Sequence, residues 1–269
     1  MSRPYILSVA FFLISAAIAS AHEFWIDPEK FILEPDEELV ANLRVGQEFV
    51  GAPFSYIPAR FTRFELRQGD QTGKITSRIG DRPALSQPLP AEGLWTIIHE
   101  TRDNYLTYEE EGLFTDFVTH KDLRGVLDAH AARGFEETGF SESYRRFAKS
   151  LVAVGSGEGA DVIAGLRTEI VALSNPYSDL FDGTMRVQVL FEGEPRSDEQ
   201  VEIFERALDG AVSITTTRTD DNGNATVPVK PGYTYLLDSV TMLPVEPSQD
   251  NRNAVWASLW ASLTFAVPE

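Results

Sequence analysis

The sequence predicts a mainly β protein built as two β-sandwich (immunoglobulin-like) domains, the first carrying a short helical insert. Three observations predict it. Short segments with every second residue apolar recur on both sides of the middle of the chain. Between them, over about 109–154, the apolar spacing changes to three and four. A small, polar run, Gly155 to Gly165 (GSGEGADVIAG), then reads as a linker, dividing 22–155 from 166–269.

Taken in order, residues 1–21 read as a secretory signal peptide. Arg3 supplies the positive start, Tyr5 to Ile18 is almost wholly apolar, and Ala19 and Ala21 fit the A-x-A cleavage pattern. The apolar stretch is short for a membrane span. Three strands are expected next. Leu39, Ala41, Leu43 and Val45 alternate with polar neighbours; Phe61 to Arg67 ends at Gln68-Gly69-Asp70; Leu94 to Thr101 puts Trp95, Ile97, His99 and Thr101 on one side. Leu113, Phe117 and His120, then Leu123, Val126, Leu127 and Ala131, fit two short helices. Ser141 reads as the N-cap of a third helix over Glu142 to Val154, with Tyr144, Phe147, Ala148 and Leu151 on one face. Beyond the linker, Met185, Val187, Val189 and Phe191 alternate, as do Ala225, Val227 and Val229. Asn222-Gly223 suits a hairpin turn. Short strands at turn-marked intervals over about 100 residues read as a Greek-key sandwich.

The chain has 269 residues, a net charge of −18 and no Cys. It is long enough to bury a core without disulfides. An exported chain without a disulfide framework points to a bacterial periplasm. The acidity argues against nucleic acid and anionic lipid as partners. No later segment is apolar for the length of a membrane helix, so the mature chain is not expected to insert directly in a membrane.

With no Cys, a tight transition-metal site must use the four His, carboxylates and the α-amine. Cleavage after Ala21 makes His22 the new N-terminus. Its α-amine and imidazole Nδ1 can then chelate one ion, and the amine gives up its proton readily near neutral pH. The competing cut, after Ala19, leaves Ser20 first. Phe24 and Trp25 are placed to anchor the terminus in a core. His99, on its strand face, and His120, between two short helices, are the candidates to complete the site. A buried, hydrogen-bonded imidazole is the alternative reading of His99. His130, near a helix end, is read as favouring the helix dipole and is set aside. Glu109-Glu110-Glu111 reads as a solvated helix start. Asp220-Asp221-Asn222-Gly223-Asn224 lacks the distal Glu of a calcium loop and reads as a hairpin turn. No nucleophile elbow, phosphate-binding loop or H-E-x-x-H is present, so no enzyme activity is expected.

An ordered series of segments carries a resemblance. These are A-H-E-F-W-I-D-P (21–28), L-R-V-G-Q-E-F (43–49), Y-R-R-F-A-K-S-L-V (144–152) and L-S-N-P-Y (173–177). V-L-F-E-G-E-P (189–195), T-D-D-N-G-N-A (219–225) and W-A-S-L-T-F (260–265) follow. Together they resemble a bacterial family of periplasmic domains of unknown function, often labelled as periplasmic components of nickel or cobalt uptake (NikM-like, NikK-like). The resemblance implies a soluble periplasmic protein with a β-rich N-terminal domain bearing a helical insert. It implies a C-terminal half similar to immunoglobulin-like or carboxypeptidase-regulatory-like modules. The family's N-terminal His matches His22, and some members accompany nickel or cobalt transporters.

Three functions are expected from these observations, in this order. The first is a periplasmic binding or accessory protein for a divalent transition metal (Ni²⁺ or Co²⁺, then Cu²⁺), held by His22 with His99 or His120 and serving a membrane transporter. The second is a metal-free interaction module that docks to a transporter or receptor. The third is a copper enzyme built on a His brace at His22.

Overall fold

The structure is a computed structural model that describes residues 22–269. The signal-peptide reading of 1–21 lies outside the described residues. In chain order the first strands are β1 (Glu23–Pro28), β2 (Ile32–Leu33), β3 (Glu38–Gln47), β4 (Val50–Phe54), β5 (Phe61–Gln68), β6 (Gln71–Lys74), β7 (Leu85–Pro88), β8 (Gly93–Thr101) and β9 (Asn104–Tyr108). Helices α1 (Leu113–His120) and α2 (Val126–Ala132) follow. Then come β10 (Phe140–Val154), β11 (Thr168–Ala172), β12 (Thr184–Phe191), β13 (Glu194–Pro195), β14 (Gln200–Arg206), β15 (Val212–Arg218), β16 (Asn224–Pro228), β17 (Thr234–Pro244) and β18 (Ala254–Ala266).

A ten-stranded sheet forms the middle layer, in the order β15-β14-β17-β18-β10-β8-β5-β6, with β2 and β9 also pairing with β10. At its centre β10 and β18 run parallel, from Glu142 opposite Trp256 to Ser150 opposite Thr264. Side chains alternate across a strand, so successive residues of these strands serve opposite layers. On one face Ala148 and Val152 of β10, with Trp95 and Ile97 of β8, meet Phe24, Ile26, Leu39 and Leu43 of the small sheet β1-β3-β4, to which β7 adds. On the opposite face Leu151, Leu263 and Phe265 meet Met185, Val187 and Val189 of the second small sheet, β11-β12-β13 with β16. The two helices cover the rest of the first face, Phe114 and Phe117 packing on Trp256 and Trp260.

The fold is therefore mainly β and sandwich-like, as the alternating segments predict. β3 buries Leu39, Ala41 and Leu43 in alternation, and β12 buries Met185, Val187 and Val189. One sheet serves both halves, however. β10 lies before the 155–165 stretch and β18 after it, yet they pair along ten residues. That stretch is tied down rather than free. Leu94 N donates to Glu158 O, and the Lys149 ammonium is held by Asp161, Glu169 and the Val162 carbonyl.

The helical insert is shorter than expected. Residues 142–154 form a strand, not a third helix. The i, i+3, i+4, i+7 spacing of Tyr144, Phe147, Ala148 and Leu151 arises because both faces of β10 are covered. Apolar residues then occur at both parities, and the strand loses its alternation. The Asn222-Gly223 turn also differs from expectation. It connects β15 and β16, which belong to different sheets, so it is a tight turn but not a hairpin. Among the described residues no helix is long and apolar enough to cross a membrane.

Candidate functional site: the seam at the start of β1

β1 is the edge strand of its small sheet, and all six of its residues are buried. An open strand edge in a core leaves carbonyls in need of donors. Two hydroxyls of β18 supply them. Ser262 Oγ donates to Phe24 O at 2.8 Å and Thr264 Oγ1 to Ile26 O at 2.7 Å. Trp25 turns the other way, against Phe49, Phe204 and Leu236. Its ring occupies the space that a side chain at Gly51 would fill: a Cβ there would stand 2.7 Å from the indole. Phe24 and Trp25 thus hold the start of β1 from both sides of the strand.

The anchored end lies at the seam between the small sheet and the helices. His22 is half-buried, and its carbonyl accepts from Arg146 Nη2 at 3.0 Å. Glu23 reaches the last turn of α1, where Lys121 turns inward. The Lys121 ammonium is surrounded by Glu23 Oε1 at 3.2 Å, Asp238 Oδ2 at 3.0 Å and Glu202, and stands 4.8 Å from the Trp260 ring. His120 Nε2 meets the other oxygen of Glu202 at 2.8 Å, with its side chain 64% exposed.

Burial opposes charging Lys121, but Asp238, Glu202 and Glu23 outweigh it and hold its pKa above the usual value. Burial pushes the Asp238 carboxyl up to about 7, and the nearby Glu202 and Glu23 charges add to the rise that Lys121 opposes. Burial also works against the Glu202 carboxylate, but the hydrogen bond to His120 and the Lys121 charge win and lower its pKa. The same hydrogen bond raises His120. The cluster still has unmet capacity: Glu23 Oε2, Asp238 Oδ1 and Arg146 Nε are buried without a hydrogen-bond partner.

Of the three expected ligands, His120 lies in this cluster through Glu202. His22 contributes only its carbonyl, to Arg146, and it is the neighbouring Glu23 that reaches Lys121. His99 is elsewhere, 3% exposed, beneath Phe24 at 5.0 Å between ring centroids and enclosed by Phe61 at 5.2 Å and Phe64 at 5.1 Å. Burial pushes its pKa down to about 3, so it is neutral at ordinary pH. The alternative expectation of a hydrogen-bonded His99 fails at one atom, because Nδ1 has no partner. His130 lies in the last turn of α2, as expected, and is also buried in the core. Trp256 Nε1 donates to its Nδ1 at 2.9 Å, so Nε2 carries the proton and donates to Glu136 O at 2.9 Å. Among the described residues no group of three His, Asp or Glu side chains is arranged to hold a metal ion.

Sequence reasoning missed Lys121, Glu202, Asp238 and Arg146. Their signal was a charge at a position buried on both sides: Glu202 between Val201 and Ile203, Asp238 after Leu236 and Leu237.

A solved structure, a tetra-tandem repeat in the extending region of a large adhesion protein, is similar at 10% identity and a TM-score of 0.23. The match covers 92% of this chain and 50% of that one, so this chain spans half its length, and the likeness carries no argument. No curated protein matches. The family described as Domain of unknown function (DUF4198) matches residues 19–242, and the chain belongs to that family.

Proposed function

We propose that this is a periplasmic binding or accessory protein for a divalent transition metal, Ni²⁺ or Co²⁺ first and Cu²⁺ next, with its site at the β1 seam. Cleavage after Ala21 frees the His22 α-amine, which chelates together with Nδ1. His120, the more accessible of the two remaining candidates, completes the set, and Glu202 lies beside it. His99 takes no part in this reading, because reaching a shared ion would mean breaking its aromatic enclosure. No bond is made or broken, and the bound metal passes to a membrane transporter.

One observation carries the reading. Beside an anchored His22, the buried carboxylates of Glu23 and Asp238 keep oxygens without partners, so the seam favours additional positive charge. Arg146, which feels the Glu23 and Asp238 charges and donates to the His22 carbonyl at 3.0 Å, offsets part of that preference. Copper(II) and nickel(II) suit such nitrogen-rich sets with a carboxylate.

Calorimetric titration of the mature, metal-stripped protein with Ni²⁺ tests it. The expected result is one site per chain, lost in His22→Ala. Equal affinity in His22→Ala would remove the reading. Protein isolated from periplasm without metal, and taking up none, would favour the interaction module. Reductant-dependent turnover by the copper-loaded protein would favour the His-brace enzyme.

A further inference from the structure

On the other side of Phe24 from the seam is an open pocket of about 100 Å³. Its apolar lining comes from four elements: Phe24 of β1, Leu43 and Val45 of β3, Phe54 of β4 and Phe61 of β5. His99 and Arg146 line it as well, with Arg60 at its exposed edge. Three features set it apart. First, no Asp or Glu lines it, although the chain carries 41 acidic residues and a net charge of −18. Second, two arginines do, and Arg60 makes no ion pair among the described residues. Third, two of its lining residues have buried nitrogens without partners, His99 Nδ1 and Arg146 Nε. A buried polar atom left unpaired is costly, a cost the fold bears unless a ligand meets it.

We propose that this pocket binds a small monocarboxylate with an apolar body, such as an aromatic acid of one ring. The carboxylate accepts hydrogen bonds from Arg146 Nε and from the neutral His99 imidazole, whose Nδ1 carries the proton. The apolar body fills the mouth between Val45, Phe54 and Ile57, and Arg60 attracts the anion from solvent. The pocket admits such a ligand in part: a closed cavity of about 150 Å³ accepts benzene, and this smaller pocket, open on one side, leaves the rest of the ring in its mouth. Neither nitrogen has a hydrogen-bond partner in the fold. Arg146 also meets the His22 carbonyl, so the two sites are neighbours and the test must keep them apart.

The test is a benzoate titration of the mature protein in EDTA, followed by calorimetry and by amide NMR shifts, with benzamide as the neutral isostere. The EDTA separates this result from any metal site. Benzoate is expected to saturate one site at millimolar concentration or below, with shifts centred on Phe61, His99 and Arg146. Benzamide is expected to bind at least about tenfold more weakly, as befits loss of a charge-assisted contact. His99→Phe, which keeps the ring and removes the nitrogen, is expected to weaken benzoate by about tenfold. Arg60→Gln, at an exposed site that does not threaten folding, is expected to weaken it about threefold. Absence of saturable binding, equal affinity for benzamide, or unchanged affinity in Arg60→Gln would each overturn the proposal.

Discussion

The hydroxyl of Ser262 donates to the carbonyl of Phe24 at 2.8 Å, fixing the residue two places after His22 to the middle of the largest sheet. The bond joins the two ends of the described chain. It explains why polar residues punctuate the closing W-A-S-L-T-F, where both faces are buried: Ser262 and Thr264 are the donors for the unpaired, buried edge of β1, not surface residues.

Removing that donor leaves a buried carbonyl unsatisfied. Ser262→Ala is expected to destabilise the protein by about 1–2 kcal/mol in urea unfolding. It is also expected to speed amide exchange in residues 24–26 ahead of the rest of β18. A change confined to β18 would show that β1 is held by packing alone.

Lys121 is the only ammonium among three buried carboxylates of the seam. Lys121→Met is expected to cost about 3–5 kcal/mol, because it strips the counter-charge from Glu23, Glu202 and Asp238. Adding Glu202→Gln and Asp238→Asn in the same chain is expected to recover much of that loss. Thermal unfolding of the single and triple variants measures the difference. A triple variant no more stable than the single one would mean that shape, not charge, is what Lys121 supplies.

His99 makes the fold sensitive to acid. Its pKa is depressed from 6.5 to about 3 by burial, so the unfolded chain binds a proton that the native one refuses between those values. Stability from this residue is complete above about 6.5 and is lost as the pH falls towards 3, by up to about 1.4 kcal/mol per pH unit. His99→Phe is expected to flatten that part of the denaturation curve while leaving stability at pH 7 similar. An unaltered slope would contradict the assignment.

Glu142 acts with the opposite sign. Its carboxyl, buried beside Tyr108 and Ser258, is pushed from 4.5 up to about 7. The native state keeps its proton longer than the unfolded chain, so this residue's contribution falls as the pH rises from about 4.5 to about 7. Glu142→Gln is expected to remove that fall, seen as a stability gain over the parent that grows with pH through the same window. Equal pH profiles for both proteins would rule it out.

The sheet class, β3, β12 and the two short helices were legible because each keeps one apolar face or stripe. β10 was not, since covering both faces erased the period that identifies a strand. His22 and the aromatic residues that hold the start of β1 were visible in A-H-E-F-W. The seam was not, because Lys121, Glu202 and Asp238 come from elements far apart in sequence and only the sheet order brings them together. His99 was placed on the correct strand face, but its enclosure by Phe24, Phe61 and Phe64 depends on packing between sheets.

The proposed metal site at the β1 seam draws on His22 and His120. A Co²⁺ titration of the mature protein, labelled with ¹⁵N in histidine alone, tests it most directly. The imidazole signals of His22 and His120 are expected to broaden first, at substoichiometric metal, while those of His99 and His130 persist. Broadening led by His99 or His130, or four signals unmoved by a full equivalent of Co²⁺, would contradict it.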